Sequence, residues 1–394
     1  MTGRIFVLLA LLFPTGKLLA QDEYRVGMSA AFTGPLEFVG NSMRDGIEAY
    51  FSYINQEGGV HGKEIRLIAR DDGYEPTRSA KNVRALIDQE EVLAIIGNVG
   101  TPTAVLTAPI ASSKKTLFFG AFTGADLLRK NPPDRYIINY RASYQNETES
   151  IIDCILTLGI KPEEIAFFTQ KDTFGDAGYK GAINALKKRG YDNLGQLVHG
   201  RYERNTLNVE YALSEILNAR VKPRAIIMAG TYEPAAKFIE LAKKELPDLY
   251  FFNLSFVGGH ALKNQLKGNT ENIVITQVVP DYSGSSDIAR EYLANMWNYK
   301  NYSRLNYISF EGYIVAKIFV EALKRVEGEV DREKLVDAFY GLENLDIGME
   351  ETITFSEDNN QALRKVWPVT IMDGEFVDFN PDKPVVNNLP DRNR

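Results

Sequence analysis

The chain has 394 residues, 44% hydrophobic and 25% charged, which fits a globular protein large enough for two cores and excludes a disordered or fibrous chain. The formal net charge is −7; without residues 1–20, which carry Arg4 and Lys17, 43 basic stand against 52 acidic residues, a net charge of −9. That balance argues against a nucleic acid or an anionic membrane as partner, and Cys154, the single cysteine, excludes an intramolecular disulfide.

Residues 1–20 read as a secretory signal peptide. Arg4 supplies the positive start, residues 5–13 form an apolar run too short for a bilayer, and Leu18-Leu19-Ala20 places a small residue before Gln21. Cleavage after Ala20 and a periplasmic location are therefore expected. Pro14, Gly16 and Lys17 interrupt the run and weigh against an uncleaved anchor.

From Tyr24 onward, short apolar runs alternate with amphipathic ones, the pattern of a parallel sheet covered on both faces. Residues 24–30 read as a strand. Phe32-Thr33-Gly34-Pro35 reads as a turn, and the segment after Gly40, with Met43, Ile47, Tyr50, Phe51 and Ile54 at helical spacing, as a helix ended by Gly58-Gly59. Residues 63–69 form the second strand. Asp71 and Asp72 precede a helix over 75–88 and read as capping residues, since no histidine stands near to make them a metal or acid–base pair.

Residues 92–96 form the third strand, which Gly97 stops. Thr101 stands as N-cap before Pro102 at the first helical position, and a helix runs to Ser113. A helix start leaves backbone N–H groups unpaired and carries partial positive charge, so residues 97–103 suit a carboxylate, or are simply a capped turn. The fourth strand, 116–119, ends at Gly120-Ala121-Phe122-Thr123-Gly124. Ligands in open parallel sheets bind beyond the carboxyl ends of strands, so both loops are expected to face one crevice. A fifth strand, 136–140, leads through Arg141-Ala142-Ser143-Tyr144 into the helix that carries Cys154.

A second series follows, with strands at 164–169, 194–199, 224–228 and 250–253 and helices at 175–189, 209–219 and 233–244. Residues 273–279 read as a returning strand, then helices at 287–299, 309–326 and 331–340. Short strands at 352–355, 366–372 and 375–379 close the chain, with Asp373-Gly374 as a hairpin signal. The expected fold is α/β, with two doubly wound parallel-sheet lobes.

The motifs in this order resemble those of the type I periplasmic binding proteins, specifically the branched-chain amino-acid-binding family of ABC transporter substrate-binding proteins. The resemblance rests on Phe32-Thr33-Gly34-Pro35 with Gly40, Ile54-Asn55 with Gly58-Gly59 and Gly62, Asp71-Asp72 with Pro76, Ile96-Gly97 with Thr101, and Phe174-Gly175. It implies three crossover strands, near 140–143, 277–281 and 349–355, and closure on a ligand by a hinge motion. One lobe is then residues 21–141 and 279–350, the other 142–278 and 351–394.

The resemblance also implies a ligand set. Gly100, Thr101 and Thr103 with Phe122, Thr123 and Gly124 match the loops that hold a ligand's carboxylate and ammonium. Phe174 and Tyr232 match aromatics that cover it, and Tyr313 matches a further position near the cleft. Tyr144 and Phe256 are core residues or pocket walls. Three departures stand out: the places matching Tyr74 and Gly100 often hold paired cysteines, the segment Asn253-Leu254-Ser255-Phe256 lacks the acid that meets the ammonium, and Phe122 is bulkier than usual. Glu311 is a replacement acid if it faces the cleft. Arg141 either clamps a second carboxylate or is tied to an acid or a carbonyl.

His61, His199 and His260 lie in separate segments, and the chain has neither a phosphate-binding glycine loop nor a nucleophile elbow. A monomeric, non-enzymatic binding protein with no catalytic residues, no metal and no cofactor is expected. Its ligand is a small carboxylate, an amino acid or a related acid, and its partner an ABC permease in the inner membrane. A detector that presents the ligand to a membrane signalling receptor is the alternative.

Overall fold

A computed structural model describes residues 23–300 and 305–383; the expected signal peptide lies outside the described residues. Five strands, β1 (Glu23–Ala30), β2 (Glu64–Asp71), β3 (Ala94–Ile96), β4 (Leu117–Phe119) and β5 (Ile137–Ile138), form a parallel sheet in the order β2-β1-β3-β4-β5. β3 and β4 are wholly buried, as strands covered on both faces must be, which is why they read as continuous apolar runs. Helices α1 (Glu37–Gln56), α2 (Pro76–Asp88) and α3 (Thr101–Ser113) connect them. The strand order turns back between β1 and β3, so the loops after these strands diverge and leave a crevice at their carboxyl ends.

After α4 (Tyr144–Thr157) come β6 (Ile165–Gln170), α5 (Thr173–Lys188), β7 (His199–Tyr202), α6 (Glu210–Leu217), β8 (Ala225–Ala229), α7 (Tyr232–Glu245), β9 (Tyr250–Asn253), α8 (Gly259–Leu266) and β10 (Ile273–Gln277). Three helices, α9 (Asp287–Lys300), α10 (Tyr307–Lys324) and α11 (Arg332–Tyr340), precede the hairpin β11 (Trp367–Met372) and β12 (Glu375–Asp378). The second sheet has the order β12-β11-β10-β9-β8-β6-β7, parallel except for the hairpin. Asp373 and Gly374 turn that hairpin with φ of 50° and 82°, the left-handed pair a tight two-residue turn requires.

The last three helices return to the first lobe, where α10 lies along α1. The two backbones touch through glycine: a Cβ on Gly46 would sit 1.8 Å from the Ser309 carbonyl oxygen, and one on Gly312 would sit 2.3 Å from that of Met43. The chain thus passes between the lobes three times. Beside the first passage, Asn139 and Tyr140 pair with residues 360–363: the Asn139 amide donates to the Asn360 carbonyl at 2.7 Å, and Ala362 and Leu363 donate back to the carbonyls of Asn139 and Tyr140 at 2.9 Å.

The two-lobed α/β architecture follows the sequence reading, with four local differences. The strand expected at 194–199 begins only at His199; Leu194 and Leu197 are buried from a loop, and the paired segment is shifted to include Gly200, where a Cβ would meet the Ala212 carbonyl oxygen at 2.5 Å. Residues 352–355 form no strand, only a single bridge from Ile353 to Leu345. α8 follows Gly258 in the left-handed region at φ 77°, where the glycine pair concealed a helix start. α1 begins before Gly40, which lies inside it because a Cβ there would sit 1.9 Å from the Ala31 carbonyl oxygen. Among the described residues no helix is long and apolar enough to cross a membrane.

Candidate ligand-binding site

The loops after β3 and β4 run side by side. The Phe122 amide donates to the Asn98 carbonyl at 2.7 Å, and the Gly100 amide to the Phe122 carbonyl at 3.2 Å, so the two segments expected to converge are zipped together. The cap of α3 differs from expectation. Gly100, at φ 106°, is the N-cap and Thr101 the first helical residue, because threonine does not adopt that backbone. The freed Thr101 hydroxyl meets the Thr123 hydroxyl at 2.7 Å. Thr103 turns its hydroxyl back onto the Val99 and Gly100 carbonyls. The backbone N–H groups of Thr101 and Thr103 have no acceptor among the described residues, as the first turn of a helix leaves them.

Tyr144 opens α4 behind Ser143, whose hydroxyl accepts from the Asn146 amide in a capping box. Its own amide donates to the Gly124 carbonyl at 2.8 Å; a Cβ on Gly124 would lie 2.6 Å from that nitrogen, so only glycine lets loop and helix approach. The Tyr144 hydroxyl is buried without a well-formed hydrogen bond. Burial pushes it up to about 12, while nearby Arg141 and the Thr123 and Thr101 hydroxyls act against that rise.

Aromatic rings from both lobes close over this point. Phe174, in the first turn of α5, lies 5.4 Å from Tyr144 and 4.5 Å from Phe256, and Phe256 lies 5.5 Å from Phe122 and 6.1 Å from Tyr74. Phe174 is held there by Asp172, which accepts from its amide at 3.0 Å, and by Gly175, whose absent Cβ would lie 1.9 Å from the Gln170 carbonyl oxygen. The Arg141 guanidinium sits 4.2 Å from the centre of the Phe122 ring, a favourable cation–π pair between two buried side chains.

Four charged groups sit at the base. Arg141, 1% exposed, has its Nε 3.2 Å from Glu311 and donates through Nη2 to Ser255 Oγ. The Nε contact is an ion pair without hydrogen-bond geometry, and neither Nε nor Nη1 has a hydrogen-bond partner among the described residues. Glu147 accepts from the Ser255 amide at 2.7 Å, the Ser255 hydroxyl at 3.1 Å and the Thr276 hydroxyl. Burial pushes the Glu311 carboxyl up to about 7, with Arg141 resisting and Glu147 adding to the rise. Burial, then Arg141, brings Arg129 down to about 10; it ties the Thr123, Ala125 and Arg141 carbonyls together.

The fold therefore gathers Gly100, Thr101, Phe122, Thr123, Gly124, Tyr144, Phe174, Phe256 and Glu311 at one place. Thr103 lies beside them with its hydroxyl spent on its own helix. Tyr232 stands apart, edge-on to Phe38 at 6.3 Å across the lobes. Tyr313 is not in the cleft: its hydroxyl donates to Glu291 at 2.7 Å and accepts from Asn295 at 2.6 Å, inside the first lobe. Tyr74 was absent from the expected set and lies beside it, against Gly100 and Phe256. It follows β2 as the other loops follow their strands, holds φ 62°, and receives a hydrogen bond from Gln170 of the other lobe at 3.3 Å. The carboxyl-end rule that picked the other loops would have found it. Arg204 of the second lobe lies over the Tyr74 ring and pairs with Glu75 at 3.1 Å.

The family model described as a periplasmic binding protein matches residues 23–375. A crystal structure of a possible leucine/isoleucine/valine-binding protein from Rhodopirellula baltica SH 1 is 42% identical, covers 93% of this chain and 98% of that chain, and superposes with a TM-score of 0.90. A branched-chain amino acid ABC transporter structure from Thermus thermophilus with bound valine is similar in fold, at 18% identity over 92% of this chain and 96% of that one, with a TM-score of 0.80. Leu/Ile/Val-binding protein homolog 7 of Brucella abortus (strain 2308) is 22% identical over 391 residues, 94% of each chain.

Proposed function

Starting from the chain's membership of the periplasmic binding protein family, in its type I, branched-chain amino-acid-binding branch, we propose that it captures a small carboxylate-bearing ligand, an amino acid or related acid, between its lobes. The family is one of extracytoplasmic solute-binding proteins, and on this reading closure of the lobes hands the solute to an ABC permease. The moving bodies are residues up to 141 with 279–350, and 142–278 with the remainder.

One observation carries the reading. Buried hydrogen-bond donors converge where the two lobes meet: the free N–H groups at the start of α3, the Tyr144 hydroxyl and Nη1 of Arg141. A carboxylate satisfies such a set and gains from the partial positive charge of the helix start. The rings of Phe122, Phe174 and Phe256 offer an apolar wall for the rest of the molecule. A thermal-shift screen of amino acids, aromatic acids and short-chain acids tests the proposal, since a ligand of the folded state raises the melting temperature. Shifts with sugars or cations alone would refute it.

A further inference from the structure

We infer that Phe256 sets the upper limit on the size of the ligand, its ring being a fixed plug that the second lobe carries between two loops of the first. The inference rests on the carboxylate reading above and deepens it, from the charged end of the ligand to its body.

Three rings surround that of Phe256. Tyr74, from the loop after β2, lies 6.1 Å away, Phe122, from the loop after β4, 5.5 Å, and Phe174 of α5 4.5 Å. The first two belong to one lobe and Phe256 to the other, so the ring enters the first lobe's loops when the lobes are together. All four side chains are buried, each no more than 1% exposed. Phe256 also stands next to the donors assigned to the carboxylate. Arg141 holds Ser255, the residue before it, through Nη2 and lies over the Phe122 ring, while Phe174, its other neighbour, lies 5.4 Å from the Tyr144 ring. The body of a ligand anchored on those donors therefore meets this ring.

The ring has little freedom to make way. The Ser255 amide and hydroxyl both donate to Glu147, at 2.7 and 3.1 Å, and the Leu254 amide donates to the Met228 carbonyl at 3.2 Å. The Val257 and Gly258 amides close the turn onto the Leu254 and Ser255 carbonyls at 3.0 and 3.2 Å. Gly258 itself lies at φ 77°, where a Cβ would sit 3.4 Å from Val39 of α1. With the backbone pinned on both sides, only a change of rotamer moves the ring, and close-packed aromatic neighbours leave it no place to turn. A ligand body has to fit beside Phe256 rather than displace it. Removing the ring leaves an apolar space of about benzene size between Tyr74, Phe122 and Phe174, and such a space takes an apolar group.

Calorimetric titration tests this on protein freed of bound solute by unfolding in guanidinium and refolding. The probes are propanoate, 3-methylbutanoate, 4-methylpentanoate, 3-phenylpropanoate and 3-(indol-3-yl)propanoate, with the five α-amino acids of the same bodies, from L-alanine to L-tryptophan. In the wild type, affinity within the series that binds is expected to drop about tenfold or more at one step of increasing size. In Phe256→Ala that step should move to a larger body, so that the first member the wild type rejects gains about tenfold or more. Phe256→Leu, which keeps an apolar side chain in place, should shift the same compound by a smaller factor and carries the test if the alanine variant does not fold. Wild-type affinity that does not fall with size, or the same limit in the variants, overturns the inference and leaves the carboxylate reading standing. Silence from all ten compounds in the wild type overturns both.

Discussion

The ring of Tyr74 lies against Gly100 so closely that a Cβ at residue 100 would sit 2.3 Å from Cε2 of the ring. The contact is buried, joins the loops after β2 and β3, and depends on a glycine at φ 106°. Gly100→Ala is therefore expected to destabilise the protein by about 1–3 kcal/mol, from backbone strain and overpacking together. Denaturant midpoints measure it. In a Tyr74→Ala background the overpacking part should vanish and the strain part remain; an equal penalty in both backgrounds would show that the ring plays no role.

Thr101→Val replaces the hydroxyl that meets Thr123 with a methyl of nearly the same volume. Affinity for the tightest acid in the screen should fall about tenfold, roughly 1.4 kcal/mol, alongside a stability loss of about 1–3 kcal/mol from the buried bond to Thr123, with the variant still folded. Unchanged affinity would remove Thr101 from the site.

Tyr313→Phe separates the lobe core from the cleft. Its hydroxyl bridges Glu291 and Asn295, and losing that bridge should cost about 1–3 kcal/mol of stability. Ligand affinity should not move. A variant that binds tenfold worse at unchanged stability would return Tyr313 to the site.

Glu311 gives the protein a pH dependence with a definite sign. Its carboxyl is raised from 4.5 to about 7 in the folded state, so between those values the folded chain holds a proton that the unfolded chain has released. Stability from this group is greatest below about pH 4.5 and falls as pH rises towards about 7. His199, brought down to about 4 by burial, slopes the other way between about pH 4 and 6.5. Comparing the wild type with Glu311→Gln cancels the histidine. Urea titrations should show the wild type losing stability relative to the variant as pH rises across that window, and a constant difference would contradict the assignment.

The ion pair of Glu75 with Arg204, joined by a hydrogen bond from Asn205 to Glu75 at 2.8 Å, spans the mouth of the cleft. Both side chains are partly exposed, so the pair is weak and screened by salt. Glu75→Gln should weaken binding about two- to fivefold at low ionic strength and less at high. An effect independent of salt would rule out the electrostatic account.

Much of the architecture was legible because parallel strands buried on both faces are continuous apolar runs and helices carry their own period. The β7 register was not, since Leu194 and Leu197 imitate strand residues and only α6 packing on Gly200 shows where pairing starts. In the site, the loops were legible from the carboxyl-end rule, and the N-cap was misread by one residue because φ at Gly100 is a property of the folded backbone. Tyr313 was misplaced for a different reason. Its partners lie on α9, and no spacing along α10 reveals which neighbour a hydroxyl will find. The Arg141–Glu311 pair is likewise set by where the chain returns to the first lobe.

The short ribbon formed by Asn139 and Tyr140 with residues 360–363 has a mechanical meaning. Paired segments bend far more readily than they slide past one another, so a molecule opening about this ribbon rotates as on a pin. In such an opening Arg141, next to the ribbon, would travel little, whereas Tyr74, Gln170 and Arg204, which make contacts between the lobes, would separate. A carboxylate arriving at the open molecule would thus meet its charged anchor already in place, and the aromatic cover would swing in afterwards.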